Sequence, residues 1–265
     1  MKNLTLGQYY PGNSFLHKMD PRAKITALFL YFIFLFIIKD VPGYVLATVL
    51  GIGMMVFSAV PLRVYWRGSR FIIFFAVIAA LFNMFFTPGE VIWAWGMIKL
   101  TVEGIYSAVF MAVRLVLLIV SAFVLTYTTT PMAVTDALEK MGAPLARIKV
   151  PIHDIAMVMS IALRFIPTIM DEVETIKKAQ QSRGAEFNLH RPGLWLQNMI
   201  SMVVPLFVSA FRRSEDLALA MEARGYVGGE GRTMFRELKL RYTDIIVMTI
   251  FVLLNVAYIL YGWLK

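Results

Sequence analysis

Residues 192–211 read PGLWLQNMISMVVPLFVSAF, twenty positions without one ionisable side chain. Crossing the hydrocarbon core of a bilayer takes roughly 20 apolar residues, so by length alone this stretch is a span. Similar runs occur at 44–62, 71–89, 115–135 and 245–264. A shorter one at 25–38 is flanked by Lys24 and Lys39, whose long stems can reach the interface and extend it. Whether 192–211 crosses decides between five and six spans. If it does, Arg212, Arg213, Arg224, Arg232, Arg236, Lys239 and Arg241 all fall outside the cell. Elsewhere the basic residues cluster on the other side: Lys2, Lys18, Arg22 and Lys24 in the N-terminal arm, Arg63, Arg67 and Arg70 in the next loop on that face. Cytosolic loops carry the excess of Lys and Arg, so the N-terminus is expected in the cytosol. The stretch 192–211 then reads as a helix on the cytosolic face. With five spans, 22 of the 26 Lys and Arg are cytosolic, a bias that six spans cannot match.

Composition agrees with lipid as solvent. Of 265 residues, 59% are hydrophobic and 16% charged, and mean hydropathy is +0.69. Soluble domains carry about a quarter charged residues. The first 24 residues are polar, aromatic and basic, so no cleavable signal peptide is expected. Zero cysteines exclude disulfides, thiolate metal sites and a cysteine nucleophile. The net charge of +9 fits cytosolic segments facing anionic lipid, and nucleic acid is not expected as a partner. The expected class is an all-α integral membrane protein of about five transmembrane helices. It divides into an arm (1–24), four spans (25–135), a cytosolic helical domain (136–244) and a last span (245–265).

Within 136–244, Pro144 and Pro151 punctuate short segments, and from Ile152 apolar residues recur in steps of three and four. Ile152, Ile155, Met159, Ile166 and Ile169 lie on this stripe, expected to pack on other helices or on a membrane partner. Pro167 should kink the helix. A second helix is expected from Leu194 to Arg224. The two helices end alike. Glu174, Ala179, Ser182, Arg183 and Gly184 match Glu215, Ala220, Ala223, Arg224 and Gly225 at a constant offset of 41, with Ser182 against the equally small Ala223. Glycine after the last turn takes the left-handed conformation that stops a helix. An arginine in that turn projects beyond it, with a planar fork of donors for carbonyls or a carboxylate. One such end alone reads most simply as a cap. Two equivalent ends suit a partner with two equivalent sockets, as a pair of ATPase subunits would provide.

The chain lacks the G-x-x-x-x-G-K-[ST] phosphate loop, so it is not expected to be an enzyme; Gly228–Arg232 is glycine-rich but reads as a linker. His17, His153 and His190 are scattered, and no metal, cofactor or catalytic group is expected. Arg114 is the one charged residue in the helical pattern over 105–135 and so a functional candidate by default, but that helix, about 46 Å at the usual rise, is long enough to hold it at the outer interface instead. Two other classes compete. An ion- or proton-coupled carrier would carry acidic residues in its spans and inverted repeats. A membrane-embedded enzyme would need a polar cluster near the surface. Neither pattern is evident.

The paired Ser182-Arg183-Gly184 and Ala223-Arg224-Gly225 resemble the two arginine signatures of the energy-coupling factor transporter T component. Gly7-Gln8-Tyr9-Tyr10-Pro11-Gly12-Asn13-Ser14, then Leu16-His17 and Asp20-Pro21-Arg22, resemble that family's opening motif. Ser182 stands where alanine is commoner. The resemblance spans essentially the whole chain. It implies a bacterial plasma-membrane subunit linking a small substrate-binding membrane protein to two ABC-type ATPases, with the arginine-bearing helix ends seated in the ATPases. It also implies vitamins as the usual cargo, with transition-metal ions in some cases, chosen by the substrate-binding subunit.

Overall fold

The computed structural model describes residues 9–95, 98–185, 192–226, 228 and 239–264. Part of the opening motif (Gly7, Gln8), His190 and most of the glycine-rich stretch (Gly229 to Arg232) lie outside these. The chain forms two compact units, one of Met1–Ala137 with Glu237–Lys265, the other of Leu138–Arg236.

The first unit opens with a short turn of helix, α1 (Phe15–Lys18), and continues as α2 (Pro21–Ile37), α3 (Val41–Ser58) and α4 (Leu62–Phe86). Asp20 caps α2, accepting from the Arg22 amide at 2.8 Å, with Pro21 in the first turn, where its missing N–H costs nothing. A two-stranded antiparallel hairpin follows, β1 (Val91–Trp95) and β2 (Ile98–Thr101), then α5 (Val102–Thr128) and α6 (Pro131–Gly142). α9 (Tyr242–Leu264) closes the unit. α4 packs along α5, α2 along α9, and α3 along α5.

Tyr31, Phe34 and Leu35 of α2, with its cap residue Ile38, are fully buried among Ala47, Leu117 and Phe251. The Tyr31 hydroxyl donates to the Ala47 carbonyl at 2.9 Å, and its ring meets Phe251 edge-on at 6.2 Å. A Cβ at Gly51 would lie 3.0 Å from that hydroxyl, so glycine there lets α3 approach.

The all-α membrane class holds, with the hairpin as its one addition among the described residues. Six described helices are long and apolar enough to cross a membrane: Val41–Ser58, Leu62–Phe86, Val102–Thr128, Ile152–Ser182, Gly193–Ala223 and Tyr242–Trp263. α2, at 17 residues, is shorter than these.

Two local expectations are corrected. Arg63, Arg67 and Arg70 are not in a loop; they sit exposed in the first turns of α4, whose helix begins at Leu62. The pattern over 105–135 is not one helix. α5 stops at Thr128, because Pro131 starts a new helix and the residues before a proline avoid helical angles. Lys24 closes that end, its ammonium donating to the Thr128 carbonyl at 3.0 Å and to Thr129 Oγ1 at 3.1 Å.

In the second unit a 3-10 turn (Ala143–Ile148) leads to α7 (Ile152–Ser182) and α8 (Pro192–Ala223), which pack on each other. α7 continues through Pro167 and α8 through Pro205.

Candidate functional site

The ends of α7 and α8 are closed by the same two bonds. At the first, the Gly184 amide donates to the Gln181 carbonyl at 3.0 Å and the Ala185 amide to Gln180 at 2.9 Å. At the second, Gly225 donates to Glu222 at 2.8 Å and Tyr226 to Met221 at 3.0 Å. This is the Schellman closure, in which the two amides after the cap turn back onto the last carbonyls. Gly184 has φ +88° and Gly225 φ +71°. A Cβ at either would meet nothing within 4 Å, so glycine is required there by the backbone angle and not by crowding.

Arg183 and Arg224 precede these glycines and are exposed. Among the described residues, neither guanidinium makes a hydrogen bond or an ion pair. Ser182 and Ala223 are exposed beside them, and the Ser182 hydroxyl turns back to the Lys178 carbonyl at 3.1 Å. Among the described residues each guanidinium thus leaves its five N–H donors unengaged beside small side chains, and an acceptor-rich groove is the complement of that surface.

The sequence did not single out what holds the two helices together. Arg213 Nη2 donates to Glu172 Oε2 at 2.8 Å, and the guanidinium lies 5.9 Å from the centre of the Phe165 ring. Positions 172 and 213 are themselves 41 apart, so the helices touch at equivalent points of the repeat; that offset was the signal available in the sequence. Gln180 donates to the Ser201 carbonyl at 3.1 Å. Moving forward along α7 thus means moving backward along α8, and the pair runs antiparallel. Beyond the ion pair each helix continues without proline to its arginine. Eleven residues at the helical rise carry each end about 16 Å from the crossing, in opposite directions.

The apolar stripe divides. Ile152 packs over Gly142, whose added Cβ would come within 3.0 Å of it, and Ile166 and Ile169 are half-buried. Ile155 and Met159 remain 52% and 48% exposed, together with Val158. The two described histidines are occupied singly. His17 bridges the Ser14 hydroxyl (2.7 Å) and the Tyr10 carbonyl (2.9 Å), and His153 Nδ1 lies 2.8 Å from Glu139 Oε1. Among the described residues, no three His, Asp or Glu side chains group to hold a metal ion.

Comparison with known proteins covers both units. A family model described as cobalt transport protein matches residues 12–235. A protein of Ruminiclostridium cellulolyticum named energy-coupling factor transporter transmembrane protein EcfT is 50% identical over 247 residues, covering 93% of this chain and 92% of that one. The proteins of that name from Thermosediminibacter oceani and Bacillus selenitireducens are each 42% identical, over 92% and 96% of both chains respectively.

Proposed function

The chain belongs to the transmembrane (T) component family of energy-coupling factor transporters, and on that premise we propose that it couples two cytosolic ABC-type ATPases to a small substrate-binding membrane subunit. Arg183 and Arg224, with their small and glycine neighbours, are the two docking ends. The stripe around Ile155 and Met159 is the face toward the substrate-binding subunit. Closure of the ATPases on ATP would shift the docked ends, and the pinned antiparallel pair would pass that motion to the bound membrane partner. The cargo is a vitamin or similar micronutrient selected by that partner. ATP hydrolysis falls to the ATPases. The chain lies in the bacterial plasma membrane with its N-terminus in the cytosol, crossing five times.

The observation that carries this reading is the equivalence of the two ends. They share a sequence offset, a closure, an exposed arginine and a distance from a crossing formed at equivalent residues. A cap serving only its own helix needs none of this symmetry. Truncating one partner of a charge-assisted contact costs roughly 2–5 kcal/mol, so Arg183→Ala or Arg224→Ala should each reduce uptake strongly. The double variant should lose the ATPases altogether, because two linked contacts hold far better than one. The measurement is ATPase retention on the purified chain, with uptake in vesicles. If the double variant keeps both ATPases and transports normally, the arginines are caps and the reading is wrong.

A further inference from the structure

We propose that the pocket around Arg114 binds the anionic headgroup of a membrane phospholipid. Arg114 lies in α5, and its Nη2 donates to the Ile38 carbonyl at 3.1 Å and to the Tyr44 hydroxyl at 2.6 Å. Ile38 is the cap residue ending α2, and Tyr44 stands in the first turn of α3. The guanidinium is therefore level with the turn between α2 and α3, which in the five-span reading proposed above meets the outer headgroups. The rings of Phe36 and Tyr44 lie 5.9 and 5.7 Å from it.

Its charge is not answered. Nε is buried without a hydrogen-bond partner, and among the described residues Nη1 makes no hydrogen bond and no carboxylate lies within 4.0 Å. By contrast, Arg22 and Arg213 each hold a carboxylate at 3.0 and 2.8 Å. A cation at membrane level without an acidic partner calls for an anion from elsewhere. Beside it opens a cavity of about 460 Å³, lined by Lys39, Asn83 and Ser107 along with Phe36, Phe110 and Leu118. Two cations, an amide and a hydroxyl on apolar walls match a phosphodiester with glycerol and acyl carbons attached. A small soluble anion would leave the apolar walls unused. Lys39 adds a second point charge and Arg114 the planar fork that suits phosphate oxygens.

Because Arg114 also ties α5 to the end of α2 and the start of α3, replacing it alone would not separate binding from folding. Lys39→Gln and Ser107→Leu leave its bonds to Ile38 and Tyr44 in place. The purified full chain is placed in nanodiscs of phosphatidylcholine, with or without phosphatidylglycerol. Lipid retained after transfer to detergent is counted by native mass spectrometry, and thermal stability is followed in parallel. The wild type should retain one phosphatidylglycerol in preference to phosphatidylcholine. Lys39→Gln should weaken that retention about fivefold, the worth of one interfacial cation. Ser107→Leu, which fills the cavity, should abolish it. No preference in the wild type, or an unchanged one in Ser107→Leu, would overturn the site. Inorganic phosphate that stabilises the chain in phosphatidylcholine discs as well as phosphatidylglycerol does would make the occupant a soluble anion and overturn the lipid assignment.

Discussion

Removing the Arg213 side chain should loosen the geometry on which the two proposed docking ends depend. The side chains of Arg213 and Glu172 keep 31% and 23% of their exposure, so the pair is neither fully solvated nor fully buried. Exposed pairs couple by about 0.2–1 kcal/mol, and hydrogen bonds to charged groups contribute about 1.5–3 kcal/mol. A coupling of about 1–2 kcal/mol follows for this 2.8 Å contact, readable from a double-mutant cycle with Arg213→Ala and Glu172→Ala. The structural consequence is measurable directly, because the chain has no cysteine and two introduced ones would be its only labels. Ser182→Cys and Ala223→Cys each lie ten residues beyond the crossing on exposed small side chains. At the helical rise each label stands about 15 Å along its helix from the ion pair, and the opposed directions put the two about 30 Å apart. Pulsed electron spin resonance on the full chain in nanodiscs should show one peak near that distance. It should broaden with Arg213→Ala and sharpen again when the charges are exchanged as Glu172→Arg with Arg213→Glu. A native peak well below about 20 Å would refute the antiparallel geometry, and a distribution indifferent to Arg213→Ala would refute the pinning role of the pair.

Gly184→Ala and Gly225→Ala force a Cβ into the left-handed region at a cost of about 1–2 kcal/mol each. Amide exchange at Ala185 and Tyr226 should quicken about tenfold; unchanged exchange would contradict the closures. Ile155→Asp with Met159→Asp should abolish retention of the substrate-binding subunit while the chain still inserts, since exposed apolar stripes mark interaction surfaces; full assembly and transport in that variant would contradict the assignment. A reporter fused after residue 265 should be active only outside the cytosol; activity confined to the cytosol would revive 192–211 as a sixth span.

Much of the fold is legible in the sequence. Apolar runs and three-four periodicity depend on neighbours within a few residues, and they located α2, α3, α4, α7, α8 and α9. They failed at two boundaries for local reasons. Hydropathy does not register that a proline starts a helix, so the break at Thr128 to Pro131 was read through. Basic residues were assigned to a loop although Arg63, Arg67 and Arg70 all fit the first turns of α4. The hairpin at 91–101 was missed because two short strands carry too few alternations to stand out beside long helices.

The sequence by itself determined that this is a helical membrane protein, and that two helices end in the same small-Arg-Gly element 41 residues apart. Composition and short-range spacing suffice for both, because a bilayer demands continuous apolar helices and a glycine stop is set by its own backbone angle. Only the tertiary structure decided that α7 and α8 run antiparallel and meet at Glu172 and Arg213, so that the two arginines point apart. Only it decided that Arg114 answers to Ile38 and Tyr44, 76 and 70 residues away, and keeps unanswered donors beside a cavity. Contacts at such separations depend on how whole helices pack, and no single helix's periodicity records which side chain of another it will meet.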